Sequence, residues 1–345
     1  MMKIIKNIVI YLVVLGIVMI LLDVFIKFTG TAQVTIFKND NRLGRVFVPG
    51  SEYILLTEGF AMGEINKYGY IGPGYGKEKD TGVVRIALLG DSYIEGFQHF
   101  DRNHFRAIME NELREKYSIK AEVMNFGKFG YNLLDMYVLN ENYVSEFKPD
   151  IVLFMLGNKD FIEEPNKNGF PYPYVDGDSI KINYENAPPE GLPWFLSMNK
   201  MGMISPTVQM IRNSLNLHRQ GQTSGILLDK FFTPVLDQNK PEDNILTEND
   251  SLLSVHIKVI EELSENPGNM IVHRDKYELN ENIRASIKSA DIRMIELNDT
   301  LNDLRARGFD PNYWQYNGNY GHWNIQAHKT IGEFLARKIS EYYTK

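Results

Sequence analysis

Ser92 stands directly behind an apolar, β-branched segment, in "RIALLGDSYIEGF" from Arg85 to Phe97. A serine hydroxyl is a poor nucleophile until a neighbouring base accepts its proton, and that base works only if it is held in place. A base is available near the other end of the chain, His322 in "GNYGHWNIQAH", two or three residues before a last amphipathic segment. The negative oxygen that forms on an attacked ester carbonyl also needs preorganised N–H donors. Backbone amides of Gly-rich turns and a side-chain amide supply such donors. Two further apolar segments end in groups of this kind, "NFGKFG" from Asn125 to Gly130 and Gly157-Asn158-Lys159-Asp160. Taken singly, each group has a plainer reading: Ser92 as a helix N-cap, Gly127 and Gly130 as tight turns, Asn158 as an Asx-turn, His322 as a packing residue. Their coincidence at strand ends is what points to nucleophilic chemistry.

The elements that would position these groups alternate. "VVRIALLG" reads as a buried strand, "NHFRAIMENELREKY" as an amphipathic helix, "AEVMNFG" as a strand, "LLDMYVLNENYVSEF" as a helix and "DIVLFMLG" as a strand. After an interruption the pattern resumes with a helix from Leu252 to Glu262, the strand "NMIVHR", a helix around Glu278 to Ser289, the strand "RMIEL" and a helix after His322 with Ile331, Phe334, Leu335 and Ile339 on one face. Continuous apolar strands are buried on both faces, which predicts a doubly wound α/β domain with its ligand site at the carboxyl ends of the strands. The interruption, at about 161–250, reads as an insertion: turns and a small hairpin, a helical region near Met201 to Leu217, then a polar stretch to about Glu248.

The chain has 345 residues, a net charge of -7 and no cysteine, so disulfides and thiolate metal sites are excluded. Its scattered Lys and Arg residues form no nucleic-acid footprint. Residues 1–27 read as a membrane anchor: Lys3 and Lys6 precede the uncharged run Ile8 to Leu22, and Asp23 follows it. A cleaved signal peptide is the competing reading, but the run exceeds the usual apolar core of about 7 to 15 residues. Lysines ahead of the span predict a cytoplasmic N-terminus and an extracytoplasmic remainder, residues 28–82 forming an irregular Gly-, Pro- and Tyr-rich strap and 83–345 the α/β domain.

The blocks "LLGDSYIEG", "NFGKFGYN", "DIVLFMLGNKDF" and "HWNIQAH" occur in the order of the four blocks of the SGNH (GDSL-type) hydrolase superfamily. The lead-in "NKYGYIGPGYGKEKDTGVVRIALLGDSY" resembles its membrane-anchored bacterial branch. The resemblance implies a flavodoxin-like three-layer α/β/α fold with a parallel sheet and ester chemistry on acyl or acetyl groups, commonly those carried by carbohydrate. It makes Ser92 the nucleophile, the N–H groups of Ser92 and Gly130 two oxyanion donors, Asn158 the side-chain donor and His322 the base. Two departures stand out. Lys159 occupies the amide position if the third block is Gly-x-Asn-Asp, whereas a shorter Gly-Asn-Asp form selects Asn158. The fourth block lacks its usual Asp before the His, those positions holding Asn319 and Tyr320, so Asn319 is the local candidate to orient His322. The expected activity is a serine-dependent esterase or O-acyltransferase on an acylated small molecule or extracytoplasmic polysaccharide, without metal or cofactor. The alternative is a catalytically weak or inactive module of the same fold that binds glycan or scaffolds an envelope assembly. "GPGYGK", Gly72 to Lys77, lacks the spacing of a phosphate loop and reads as turn. The aromatics Phe170 to Tyr174, Trp194 and Phe195 suit either sugar stacking or local core.

Overall fold

The computed structural model describes residues 2–29, 36–55, 58–59, 61–165, 170–185, 205–208, 252–315 and 318–344. Most of the expected insertion, including nearly all of the helical region from Met201 to Leu217 and the polar stretch to Glu248, lies outside them. The chain begins with α1 (Met2–Thr29), within which Lys3–Ile26 is long and apolar enough to cross a membrane. A spanning helix needs roughly 20 apolar residues, and this one exceeds the Ile8 to Leu22 run by a turn or more at its amino end. The Asp23 carboxylate accepts hydrogen bonds from Ser205 Oγ and the Thr207 N–H.

Two antiparallel hairpins follow, β1 (Phe37–Asp40) with β2 (Gly44–Phe47), and β3 (Glu52–Leu55) with β4 (Ala61–Glu64). The strap is therefore partly ordered into strands, each only four residues long, too short for periodicity to reveal. The alternating part runs β5 (Val84–Gly90), the single turn α2 (Ser92–Glu95), α3 (Phe105–Glu115), β6 (Ala121–Asn125), α4 (Leu133–Asn142) and β7 (Ile151–Leu156). A hairpin, β8 (Tyr172–Asp176) and β9 (Ser179–Asn183), opens the insertion. Then come α5 (Ser254–Ser264), β10 (Asn269–His273), α6 (Glu281–Ser289), β11 (Arg293–Glu296), α7 (Asn298–Ala306), the short pair β12 (Tyr313–Trp314) and β13 (Asn319–Tyr320), and α8 (Ile325–Tyr343).

The five sheet strands are parallel, in the order β11-β10-β7-β5-β6. In chain order among themselves that is 2-1-3-4-5 read from β6, the flavodoxin-like winding, whose switch point lies between β5 and β7. The pleat explains why β5 is apolar apart from Arg85. Val84, Ile86 and Leu88 pack with α3, α7 and α8 on one face, while Ala87 and Leu89 pack with α4, α5 and α6 on the other. Arg85, buried in the same strand, ties the strap to the sheet. Its guanidinium donates to Glu122 and to the backbone carbonyls of Lys77, Glu78 and Phe147. Such a charge is tolerable only when every donor is matched.

Candidate active site

β5 ends at Gly90, and α2 starts at once because Asp91 caps it: its side chain accepts from the Tyr93 N–H at 3.0 Å. The cap is thus Asp91, and the Ser92 hydroxyl is left for other work. Ser92 Oγ lies 2.8 Å from His322 Nε2. His322 sits just ahead of α8, whose start is fixed by Asn324 accepting from the Ala327 N–H. Its Nδ1 lies 2.9 Å from both carboxylate oxygens of Glu58, and its backbone N–H donates to Glu58 Oε2 at 2.7 Å. A carboxylate only accepts, so Nδ1 carries the proton, Nε2 presents its lone pair, and the serine hydroxyl donates to it. Burial alone would raise the Glu58 carboxyl, but the hydrogen bonds and charge of His322 outweigh it and hold the group below its ordinary value. It is ionised at neutral pH.

Sequence reasoning missed Glu58. It offered Asn319 as a local candidate beside an acid borrowed from elsewhere in the fold; the Asn319 backbone pairs with Trp314 in the β12–β13 bridge, and both Nδ1 contacts come from the loop joining β3 to β4. No spacing rule links that loop to the histidine block. A clue lay in Gly321, where an added Cβ would stand 2.4 Å from Glu58 Cδ. Gly321→Ala should therefore push the carboxylate off the imidazole and lower kcat at least tenfold. In a Glu58→Gln background the same change should cost little more, a non-additivity read directly from steady-state rates.

The N–H groups of Ser92 and Gly130 donate to no other described residue, and both residues line one cavity of about 660 Å³. Gly130 adopts φ +75°, a conformation that disfavours any side chain there. Asn158 departs from expectation. Its Oδ1 accepts from His273 Nε2 at 2.7 Å, its Nδ2 faces the Glu278 carbonyl at 3.5 Å, and it does not line the cavity, whereas Lys159 does. Its amide is spent inside the protein because it must satisfy a buried imidazole. Asn158→Ala should cost about 1–3 kcal/mol of stability, measured by denaturant unfolding, while kcat changes less than tenfold.

The strand ends are braced by Arg274, just past β10. It donates to Asp91 at 2.6 Å and Asp160 at 3.1 Å, pairs with Asp275 at 3.2 Å, and lies 4.4 Å above the Tyr93 ring, which in turn packs against His322. Behind His322, the Trp323 carbonyl accepts from His99 Nε2, and His99, His104 and His328 stack in a buried group. Burial drives His99 down to about 4 and holds the other two well below the normal imidazole value. A base whose folded-state pKa is depressed costs stability as pH falls from its unfolded value toward the folded one, here from about 6.5 to about 4. His99→Gln should accordingly lose less stability across that window than the wild type, by up to about 3 kcal/mol. Glu95 and Asp160 titrate in the opposite sense but are present in both proteins and cancel in the difference.

A parallel 2-1-3-4-5 sheet now stands with the serine after its first strand, the Gly-rich loop after its second, and the histidine ahead of its last helix. The chain has a flavodoxin-like α/β fold with a parallel five-stranded sheet. No protein-family model and no curated protein matches the sequence. Solved structures similar to this chain include a member of the lipolytic protein G-D-S-L family from Veillonella parvula DSM 2008, at 12% identity over 74% of this chain and 97% of that one, with a TM-score of 0.37. The acetyl xylan esterase AlAXEase is 13% identical over 75% of this chain and 99% of its own, at 0.37. A two-domain esterase active on acetylated mannans is 10% identical over 76% of this chain and 50% of its own, also at 0.37.

Proposed function

We propose that this protein is a serine esterase or O-acyltransferase, acting on acyl or acetyl esters of an extracytoplasmic polysaccharide and held at the membrane by α1. The observation that carries the reading is the continuous relay from Ser92 through His322 to an ionised Glu58, opening on a cavity that also presents two unused backbone N–H groups. Ser92 Oγ attacks the ester carbonyl as its proton passes to His322 Nε2, and Glu58 stabilises the imidazolium. The N–H groups of Ser92 and Gly130 receive the tetrahedral oxyanion, with the Lys159 ammonium as the cationic group of the third block on the same cavity. Collapse breaks the C–O bond, His322 returns the proton to the departing alkoxide, and acyl-Ser92 remains. Water or a second sugar hydroxyl then attacks, deprotonated by His322. The choice between them separates hydrolase from transferase.

The sugar reading is supported by aromatic side chains on the cavity, Tyr93, Tyr277, Tyr320 and a largely exposed Phe129, beside polar groups. The orientation follows from Lys3 and Lys6 ahead of the span. The inactive, glycan-binding alternative drew its support from a missing acid, and Glu58 supplies one. The test is acetate release from p-nitrophenyl acetate and from an acetylated polysaccharide by the full chain in lipid nanodiscs, beside Ser92→Ala. Release that vanishes with the variant is expected. Release that survives it overturns the assignment.

A further inference from the structure

A second cavity, of about 310 Å³, shares no lining residue with the first. Its walls are largely apolar and aromatic, formed by Leu43, Phe47, Tyr70, Phe126, Leu139 and Tyr143. Its charged lining is one-sided, four lysines (Lys38, Lys67, Lys77 and Lys128) against the single acid Asp40. Lys77 pairs with Glu146, and Lys67 lies over the Tyr68 ring. Lys128 is the unusual member. It is 4% exposed, and its Nζ donates to the Arg45 carbonyl at 2.6 Å and the Tyr131 hydroxyl at 2.7 Å, both neutral acceptors. Among the described residues no carboxylate comes within ion-pair distance of it. The charged and titratable groups that face it are Glu95, Asp135, Asp40 and, with the same sign, Arg45. Burying an ammonium without a partner costs several kcal/mol, and burial accordingly draws this amine down to about 7.

An apolar cavity lined by a buried cation that has only neutral partners, and by further cations, is complementary to one kind of small molecule. We propose that this cavity binds an aliphatic monocarboxylate, its chain against the aromatic walls and its carboxylate on Lys128. The ligand's charge would supply the carboxylate partner that the described residues do not give this ammonium. The site also adjoins the reaction chemistry. The Lys128 N–H donates to the Gly90 carbonyl, and the Lys128 carbonyl accepts from the Tyr131 N–H, so the same short loop carries Lys128 into this cavity and Gly130 into the other. The proposal stands on this geometry and not on the esterase reading.

The experiment titrates octanoate into the full chain in nanodiscs, with empty nanodiscs subtracted and octanol as the uncharged comparator. Saturable octanoate binding is expected, at least tenfold tighter than octanol. Lys128→Met should weaken it at least tenfold while leaving the protein as stable as the wild type or more so, since a buried charge is removed. Val46→Trp, which fills the cavity and keeps the ammonium, should weaken it equally, so the proposal stays testable if Lys128→Met does not fold. Absence of saturable binding, octanol binding as tightly as octanoate, or undiminished binding in either folded variant would overturn it. A cavity that holds a neutral lipid tail or another part of this chain would give one of those results.

Discussion

Glu58→Gln should lower kcat by about 10⁴ while KM and unfolding midpoint stay close to wild type, the size of loss that serine triads show when their acid is neutralised. The reason is local. The glutamine amide fits the same space, but it removes the charge that stabilises the imidazolium and lets an N–H face Nδ1, which favours the tautomer with its proton on Nε2. Ser92 would then face a donor where it needs an acceptor. Glu58→Asp should retain more activity than Glu58→Gln because it keeps the charge at a longer reach. A kcat for Glu58→Gln within threefold of wild type would show that the carboxylate only packs against His322.

Ser92→Ala should abolish covalent labelling by a serine-directed fluorophosphonate and reduce ester turnover by about 10⁶, leaving the residue of rate that cavity binding and oxyanion donors provide. His322→Ala should slow labelling nearly as much, since the hydroxyl then has no base, and the double variant should be no worse than either alone. That lack of additivity is the signature of groups acting as one unit. Mass spectrometry of the labelled peptide locates the adduct. An adduct elsewhere, or labelling indifferent to His322, would separate the observed contact from the chemistry assigned to it.

The sheet was legible in the sequence because its strands are buried on both faces, and an uninterrupted run such as Val83 to Gly90 has few other uses. The helices α3 and α8 were legible for the opposite reason, an apolar stripe on one side only. The four-residue strands β1 to β4 were not, since four residues carry two turns of an alternation at most. The helix α7 was missed because Leu301 and Leu304 are its only buried side chains, too few to set a period. Ser92 and His322, which the structure brings to 2.8 Å, could be singled out because each stands at a punctuated end of a strong element. Asn158 misled because its residue type suits either an oxyanion or a buried imidazole, and only packing shows that His273 claims it. Glu58 was invisible because long-range contacts between a hairpin loop and a helix start leave no mark on local spacing.

The placement of Glu58 makes the strap inseparable from the proposed active site. A boundary drawn where the strand and helix alternation begins, at Val83, would give a fragment with a complete five-stranded sheet, both core layers, the serine and the histidine, yet with the imidazole facing solvent at Nδ1. Such a fragment would lack both the Glu58 carboxylate and two of the carbonyls that match buried Arg85. The segment between α1 and the sheet thus also supplies the carboxylate that the proposed chemistry requires, so any shortening or replacement of it must carry the β3–β4 hairpin along.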